Sequence, residues 1–93
     1  VYKINNNLES TMNLNNQKKL MLLISNVLSI DLDSIKDSTS PENTESWDSF
    51  NALVLVSELE DEFNVHFSME EIYSVTCVKD IKDALIRHSV DFE

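Results

Sequence analysis

The sequence predicts an all-α domain, a bundle of three main helices and one short one with a long loop after the first. Three observations carry this. Glycine is absent and Pro41 is the one proline, so the positive-φ turns of tight hairpins and the glycine loops that cradle phosphates have no residue to build them. Apolar residues recur at steps of three and four, the helical period. Two capping signals, at Asp48 and Ser68, stand directly before such runs.

A first helix is predicted from about Asn15 to Leu28, with Leu20, Leu23, Ile24, Val27 and Leu28 on one stripe and Lys18 and Lys19 outside it. From Ser29 to Trp47 the periodicity gives way to Asp, Ser, Thr, Glu and Asn around Pro41. A connection this long inside a compact domain usually has a function. Leu32 and Ile35 are expected to hold it to the core. The second helix is predicted to begin at Asp48 or Ser49 and to end near Phe63, with Phe50, Leu53, Val56, Leu59 and Phe63 at helical spacing. Ser68-Met69-Glu70-Glu71 is a Ser-x-x-Glu capping box that opens a short helix to about Ser74, with Ile72 turned inward. A last helix runs from about Val78 to His88 on Val78, Ile81, Leu85 and Ile86.

Ninety-three residues make one domain. Residues 1–12 are asparagine-rich and aperiodic. They are expected to be a flexible lead-in, or a remnant of expression if Met12 is the native start, with the domain proper over 13–93. The net charge of −10 is concentrated: twelve acids lie between Asp31 and Glu71 against Lys36 alone. Such a surface repels nucleic acid and anionic lipid and attracts Lys- and Arg-bearing proteins. The longest apolar runs, Leu20–Ile24 and Ala52–Val56, fall far short of the roughly 18 residues that span a bilayer. A cytoplasmic monomer is expected. Cys77 is alone, which excludes an intrachain disulfide, and is expected to be a small buried hydrophobe.

Ser46-Trp47-Asp48-Ser49-Phe50 is the segment with chemical promise. A serine at a helix N-terminus after an exposed loop projects its hydroxyl into solvent. A phosphodiester formed there would meet free backbone N–H groups and the positive end of the helix dipole. The pair Asp48-Ser49 by itself signals only a helix cap. Trp47 could meet a partner or cap the bundle. His66 and His88 show no acid or cysteine companion at ligand spacing, so neither is expected to hold a metal or take part in catalysis.

The longer pattern resembles the acyl carrier protein family. It comprises Asp48-Ser49-Phe50, Leu53-Val54-Leu55-Val56, Leu59-Glu60-Asp61-Glu62-Phe63, then Val65 to Ile72 and Val75 to Val78, and the likeness covers about Leu14 to His88. It implies an acyl-carrier-like four-helix bundle that is a tethered substrate and not an enzyme. It further implies that a phosphopantetheinyl transferase, using magnesium, places the 4′-phosphopantetheine of coenzyme A on Ser49, with Asp48 as cap and transferase-recognition residue. The thiol of the arm would carry acyl groups for loading, condensing or acyl-transfer enzymes with basic docking patches, in fatty-acid, polyketide or other specialised biosynthesis. An aminoacyl or peptidyl carrier of the same fold is the alternative within the family. Phe50, Val54, Glu58, Asp61 and Glu62 are expected to form the docking face.

The chain departs from the family pattern at Ser46, where glycine is common, and at Phe50, where leucine is. Asn51, Ala52 and Val54 also stand where fatty-acid carriers are often acidic. Two readings from other classes compete. An unmodified acidic adaptor would use the same second helix. A calcium loop would use Asp31, Asp33, Asp37 and Glu42, but Ile35 and Lys36 occupy positions that need an oxygen ligand and a glycine.

Overall fold

The computed structural model describes residues 15–92, so the predicted lead-in over 1–12 lies outside the described residues. Four α-helices follow in order: α1 Asn16–Leu28, α2 Ser49–Phe63, α3 Met69–Ser74 and α4 Val78–Arg87. A single 3₁₀ turn, Leu32–Ser34, interrupts the long loop, and no strand occurs among the described residues. The predicted elements are all present, with boundaries within a residue. Asn15 caps α1 through its side-chain oxygen, which accepts the Lys18 N–H at 2.8 Å. Ser68 and Glu71 form both halves of the capping box on α3.

The core is built from one stripe of each long helix. Leu20, Ile24 and Leu28 of α1 are fully buried, and they meet Leu55 and Leu59 of α2 and Val78, Ile81, Ala84 and Leu85 of α4. Trp47 and Phe67, just before α2 and α3, fill the space between them. Leu23, Val27 and Ile72 pack on this core from its edge, as their spacing predicted. Three positions in or beside the helices differ from expectation. Leu53 of α2 is 66% exposed, and Leu55 takes the inward place; Phe50 is 72% exposed, as a place on the docking face requires. The first half of α2 is apolar on several sides, so spacing alone does not select the buried one. Ile86 is likewise exposed, because Val78, Ile81 and Leu85 already fix the inner face of α4. Cys77 is half-buried, not buried, since it sits at the start of α4.

Of the two residues expected to hold the loop to the core, Ile35 packs on it while Leu32 is half-buried outside that packing, and the loop is held by more than these. Thr39 is the buried polar residue: its hydroxyl accepts the Lys36 N–H at 2.8 Å and its carbonyl accepts the Val78 N–H at 2.9 Å. The Asp37 carbonyl accepts the Lys79 N–H at 3.0 Å, and its carboxylate pairs with Lys82 at 2.7 Å. Cys77 offers α4 no side-chain cap. The loop therefore supplies acceptors for two of the helix's otherwise unpaired N-terminal donors. Thr76 and Asp80 close the same turn, and the Thr76 hydroxyl and backbone N–H hold the Asp80 carboxyl below its ordinary value.

The three long helices end alike. Ser29, Asn64 and Ser89 take left-handed φ values of 56°, 53° and 71°, and the residues after them, Ile30, Val65 and Val90, donate back to Ser25, Glu60 and Leu85. These six-to-one bonds are the Schellman closure, which glycine usually serves. Ile30, Val65 and Val90 each pack on the core, the apolar contact that accompanies the motif.

Two outcomes follow. Leu28→Ala is expected to lower unfolding free energy by about 2–5 kcal/mol, while Leu53→Ala on the exposed side changes it by less than about 0.5 kcal/mol; urea denaturation separates them. Ser29→Gly is expected to raise stability by about 1 kcal/mol, because glycine meets no Cβ penalty in the left-handed region, seen as a higher urea midpoint at unchanged slope.

Candidate functional site

Asp48 and Ser49 stand where the long loop becomes α2. Asp48 has extended backbone, and its carboxylate accepts the Asn51 N–H at 2.8 Å while its carbonyl accepts the Ala52 N–H at 2.8 Å. The Asn51 side chain donates back to the Ser46 carbonyl at 2.8 Å, so loop and helix are tied across the junction. Trp47 is 5% exposed and points into the bundle, which makes it a cap on the core. Ser49, two residues on, is exposed, and its hydroxyl has no protein partner among the described residues. The buried tryptophan thus fixes a free hydroxyl on the first turn of a helix.

Beside that hydroxyl opens a cleft of about 430 Å³. The exposed Pro41, Asp48 and Ser49 mark its open edge, with the buried Trp47 beside them. Leu53, Val56 and Leu59 of α2, Ile72 and Val75, and the buried Ile81 and Ala84 of α4 line the rest. Its lining is overwhelmingly apolar.

The residues predicted to dock partners lie along α2. Phe50, Glu58, Asp61 and Glu62 are exposed and Val54 is half-buried. Steps of four, four, three and one keep them on one side of the helix. No Lys or Arg occurs in α2, so the second half of this face is uniformly acidic. Glu60 is diverted inward: its carboxylate accepts the Phe67 N–H at 2.9 Å and lies 3.4 Å from His66. Three further large apolar residues are exposed that the sequence did not single out as such: Leu53 on α2, and Met69 and Tyr73 on α3. For Leu53 a signal existed, since it lies one helical turn from Phe50.

His88, like His66 beside Glu60, has an acid partner that its spacing in the chain does not show. Its ring nitrogen lies 3.0 Å from both carboxylate oxygens of Glu71, and its ring packs edge-on against Phe67 at 5.3 Å. The acid companion is 17 residues away in the chain, beyond any ligand spacing a linear reading tests. The Glu71 carboxyl is pushed down to about 2 by the Ser68 N–H of the capping box first, then by His88 and Arg87. Asp31, Asp33, Asp37 and Glu42 do not gather. Among the described residues no three His, Cys, Asp or Glu side chains come together as a metal would need, and Asp37 is engaged by Lys82.

A four-helix bundle with an exposed helix-terminal serine over an apolar cleft defines a carrier domain in architecture. The chain matches the family model described as "Phosphopantetheine attachment site" over residues 18–85, most of its length, and belongs to that family. It is therefore a phosphopantetheine-bearing carrier and not a catalyst, served by a phosphopantetheinyl transferase and by enzymes that process the carried group. Among solved structures, one titled a "putative acyl carrier protein" from Mycobacterium tuberculosis superposes with a TM-score of 0.70. The two share 22% identity, and the match covers 77% of this chain and 96% of that one, which establishes the acyl carrier fold. No curated protein sequence matches the chain. Among the described residues no helix is long and apolar enough to cross a membrane.

The Glu71 bonds set a pH dependence. A carboxyl lowered from 4.5 to about 2 stabilises the fold fully above its unfolded value, and that contribution is lost as pH falls through the folded one. Urea midpoints measured between these limits are expected to fall with pH, and Glu71→Gln, which keeps the capping-box geometry, flattens this acid limb. Asp48→Ala removes the α2 cap and is expected to cost about 1 kcal/mol.

Proposed function

We propose that Ser49 is the residue that carries the 4′-phosphopantetheine and that the chain shuttles acyl groups in fatty-acid, polyketide or related biosynthesis. The observation that carries this is an exposed, unpartnered serine hydroxyl on the first turn of α2 at the mouth of an apolar cleft.

The residues present fit the group. The Ser49 and Phe50 backbone N–H groups face no protein acceptor among the described residues, while Asp48 serves those of Asn51 and Ala52. A phosphodiester on Ser49 would therefore find free donors and the positive helix end. When attached, the arm supplies a thiol that holds the acyl group as a thioester. Asp48 keeps the first turn wound and so keeps the serine presented. Trp47 beneath keeps the junction from turning inward. The cleft offers an apolar acyl chain a place out of water, worth about 0.8 kcal/mol for each methylene buried. A tethered cargo reaches each partner's active site at the high effective concentration of an intramolecular ligand.

Partners are read from α2. Phe50 and Val54, with Leu53 between them in the chain, present an apolar contact close to the serine, and Glu58, Asp61 and Glu62 follow about two turns further on. A matching enzyme surface has an apolar spot near its active-site entrance and Lys or Arg some 12 Å away. Charge complementarity of this kind sets encounter rate and specificity.

Incubation with coenzyme A, magnesium and a broad phosphopantetheinyl transferase is expected to add the mass of one phosphopantetheine to the wild type and none to Ser49→Ala, read by intact-mass spectrometry. Equal addition to both would remove Ser49 from the role. For the docking face, Glu58→Lys with Asp61→Lys is expected to slow association with acyl-processing partners about tenfold or more at low salt, while circular dichroism shows the helices intact. Unchanged rates with every partner would discard the face.

A further inference from the structure

Apart from Asp48, Ser49 and the indole N–H of Trp47 at the serine end, the cleft is lined by one polar side chain among the described residues, Glu71. Its place follows from its bonds. Glu71 accepts the N–H of Ser68, the residue after Phe67, and the Phe67 N–H donates to Glu60, next to Leu59. Leu59 is ten residues beyond Ser49 on α2, about 15 Å along the helix. The carboxylate therefore stands at the end of the cleft remote from the serine, where the tip of a cargo entering beside Ser49 would arrive.

This carboxylate is anchored without being saturated. Its two oxygens offer about four acceptor positions. Ser68 takes one at 2.9 Å, and His88 bridges both oxygens at 3.0 Å. Arg87 at 3.6 Å is too far for a hydrogen bond, and its side chain is more than half exposed. By that count one acceptor position is left on a carboxylate whose residue lines the cleft and that the surrounding donors keep ionised. The Glu71 side chain is still 20% exposed and so keeps contact with water.

A cargo ending in a methyl group would strip this water and return no hydrogen bond, which penalises the charged acceptor. A cargo ending in a carboxylate would set acceptor against acceptor. A hydroxyl would donate into the open position and leave the anchor undisturbed. We propose that Glu71 makes the cleft selective for acyl cargo whose far end bears a hydrogen-bond-donating hydroxyl. This rests on the carrier reading of Ser49, with the cargo lying in the cleft.

The test loads the wild-type protein from three coenzyme A thioesters: octanoyl, terminally hydroxylated octanoyl, and the eight-carbon dicarboxylic half-acid. Intact mass reports loading, so failure to load defeats the carrier reading itself and this inference with it. On loaded protein, cleavage of the thioester by hydroxylamine reports how far the cargo is sheltered. The hydroxyl-tipped cargo is expected to be cleaved about tenfold more slowly than the methyl-tipped one, the worth of one hydrogen bond to a charged group, and the half-acid fastest. In Glu71→Met, which keeps length and removes the acceptor, the methyl-tipped cargo is expected to become the better sheltered. Equal or better sheltering of the methyl tip in the wild type overturns the proposal, as does a hydroxyl advantage that survives Glu71→Met. Three loaded cargoes cleaved at one rate overturn it also, while leaving Ser49 as the attachment residue. Should the variant fail to fold by circular dichroism, the wild-type ranking alone decides.

Discussion

The burial of Trp47 is the constraint on which the site depends. The indole sits 5% exposed against the core while Ser49, two residues later, stands in solvent. A mostly polar loop of nearly twenty residues would otherwise deliver the serine with little positional certainty, since ordering each residue costs about 1–2 kcal/mol of backbone entropy. Trp47, with the Thr39 carbonyl on the Val78 N–H and Asp37 on Lys82, concentrates that ordering at a few anchors. The free hydroxyl, the wound first turn and the cleft mouth all inherit their geometry from these contacts.

The same contacts couple parts of the chain distant in sequence. The loop completes the N-terminus of α4, which has no side-chain cap of its own, and α4 in turn lines the cleft. At the other end of the cleft α4 returns through Arg87 and His88 to hold Glu71 of α3. The junction that presents Ser49, the cleft and its remote wall therefore all lean on α4, which is pinned at both ends.

The helices were legible because their signals are local. Asp48 and the Ser68–Glu71 box announce starts within a few residues, and Leu20, Ile24 and Leu28 repeat at one period. Ser49 was legible through its place between loop and helix, together with the family-like pattern that follows it. What escaped a linear reading was cooperative. The inward choice among Phe50, Leu53 and Leu55 depends on where α1 lies, because that part of α2 is apolar on several sides. Thr39 looks like any loop hydroxyl until Val78 is brought to its carbonyl. Glu71 was recognised as a capping residue, but its meeting with His88 and its place on the cleft wall arise from packing between α3 and α4. A cleft assembled from the loop and three helices has no signature in any one of them.

The glycine-free helix ends bear on where the bundle can yield. α1, α2 and α4 each finish in a left-handed serine or asparagine locked by a back-bond and an apolar anchor. The six-residue α3 has no such lock: it runs into extended Val75, whose N–H reaches the Ile72 carbonyl at 3.4 Å, with the Ser74 hydroxyl donating to the Glu71 carbonyl at 2.9 Å. Compliance is thus unevenly distributed around the cleft. Of the helices that border it, α2 and α4 end in backbone closures, whereas the wall that carries Glu71, Ile72 and Val75 is fastened through side chains, by Ser74 on the Glu71 carbonyl and by His88 and Arg87 on the Glu71 carboxylate. A guest lodged in the cleft, as proposed, would be accommodated by rearranging those side chains.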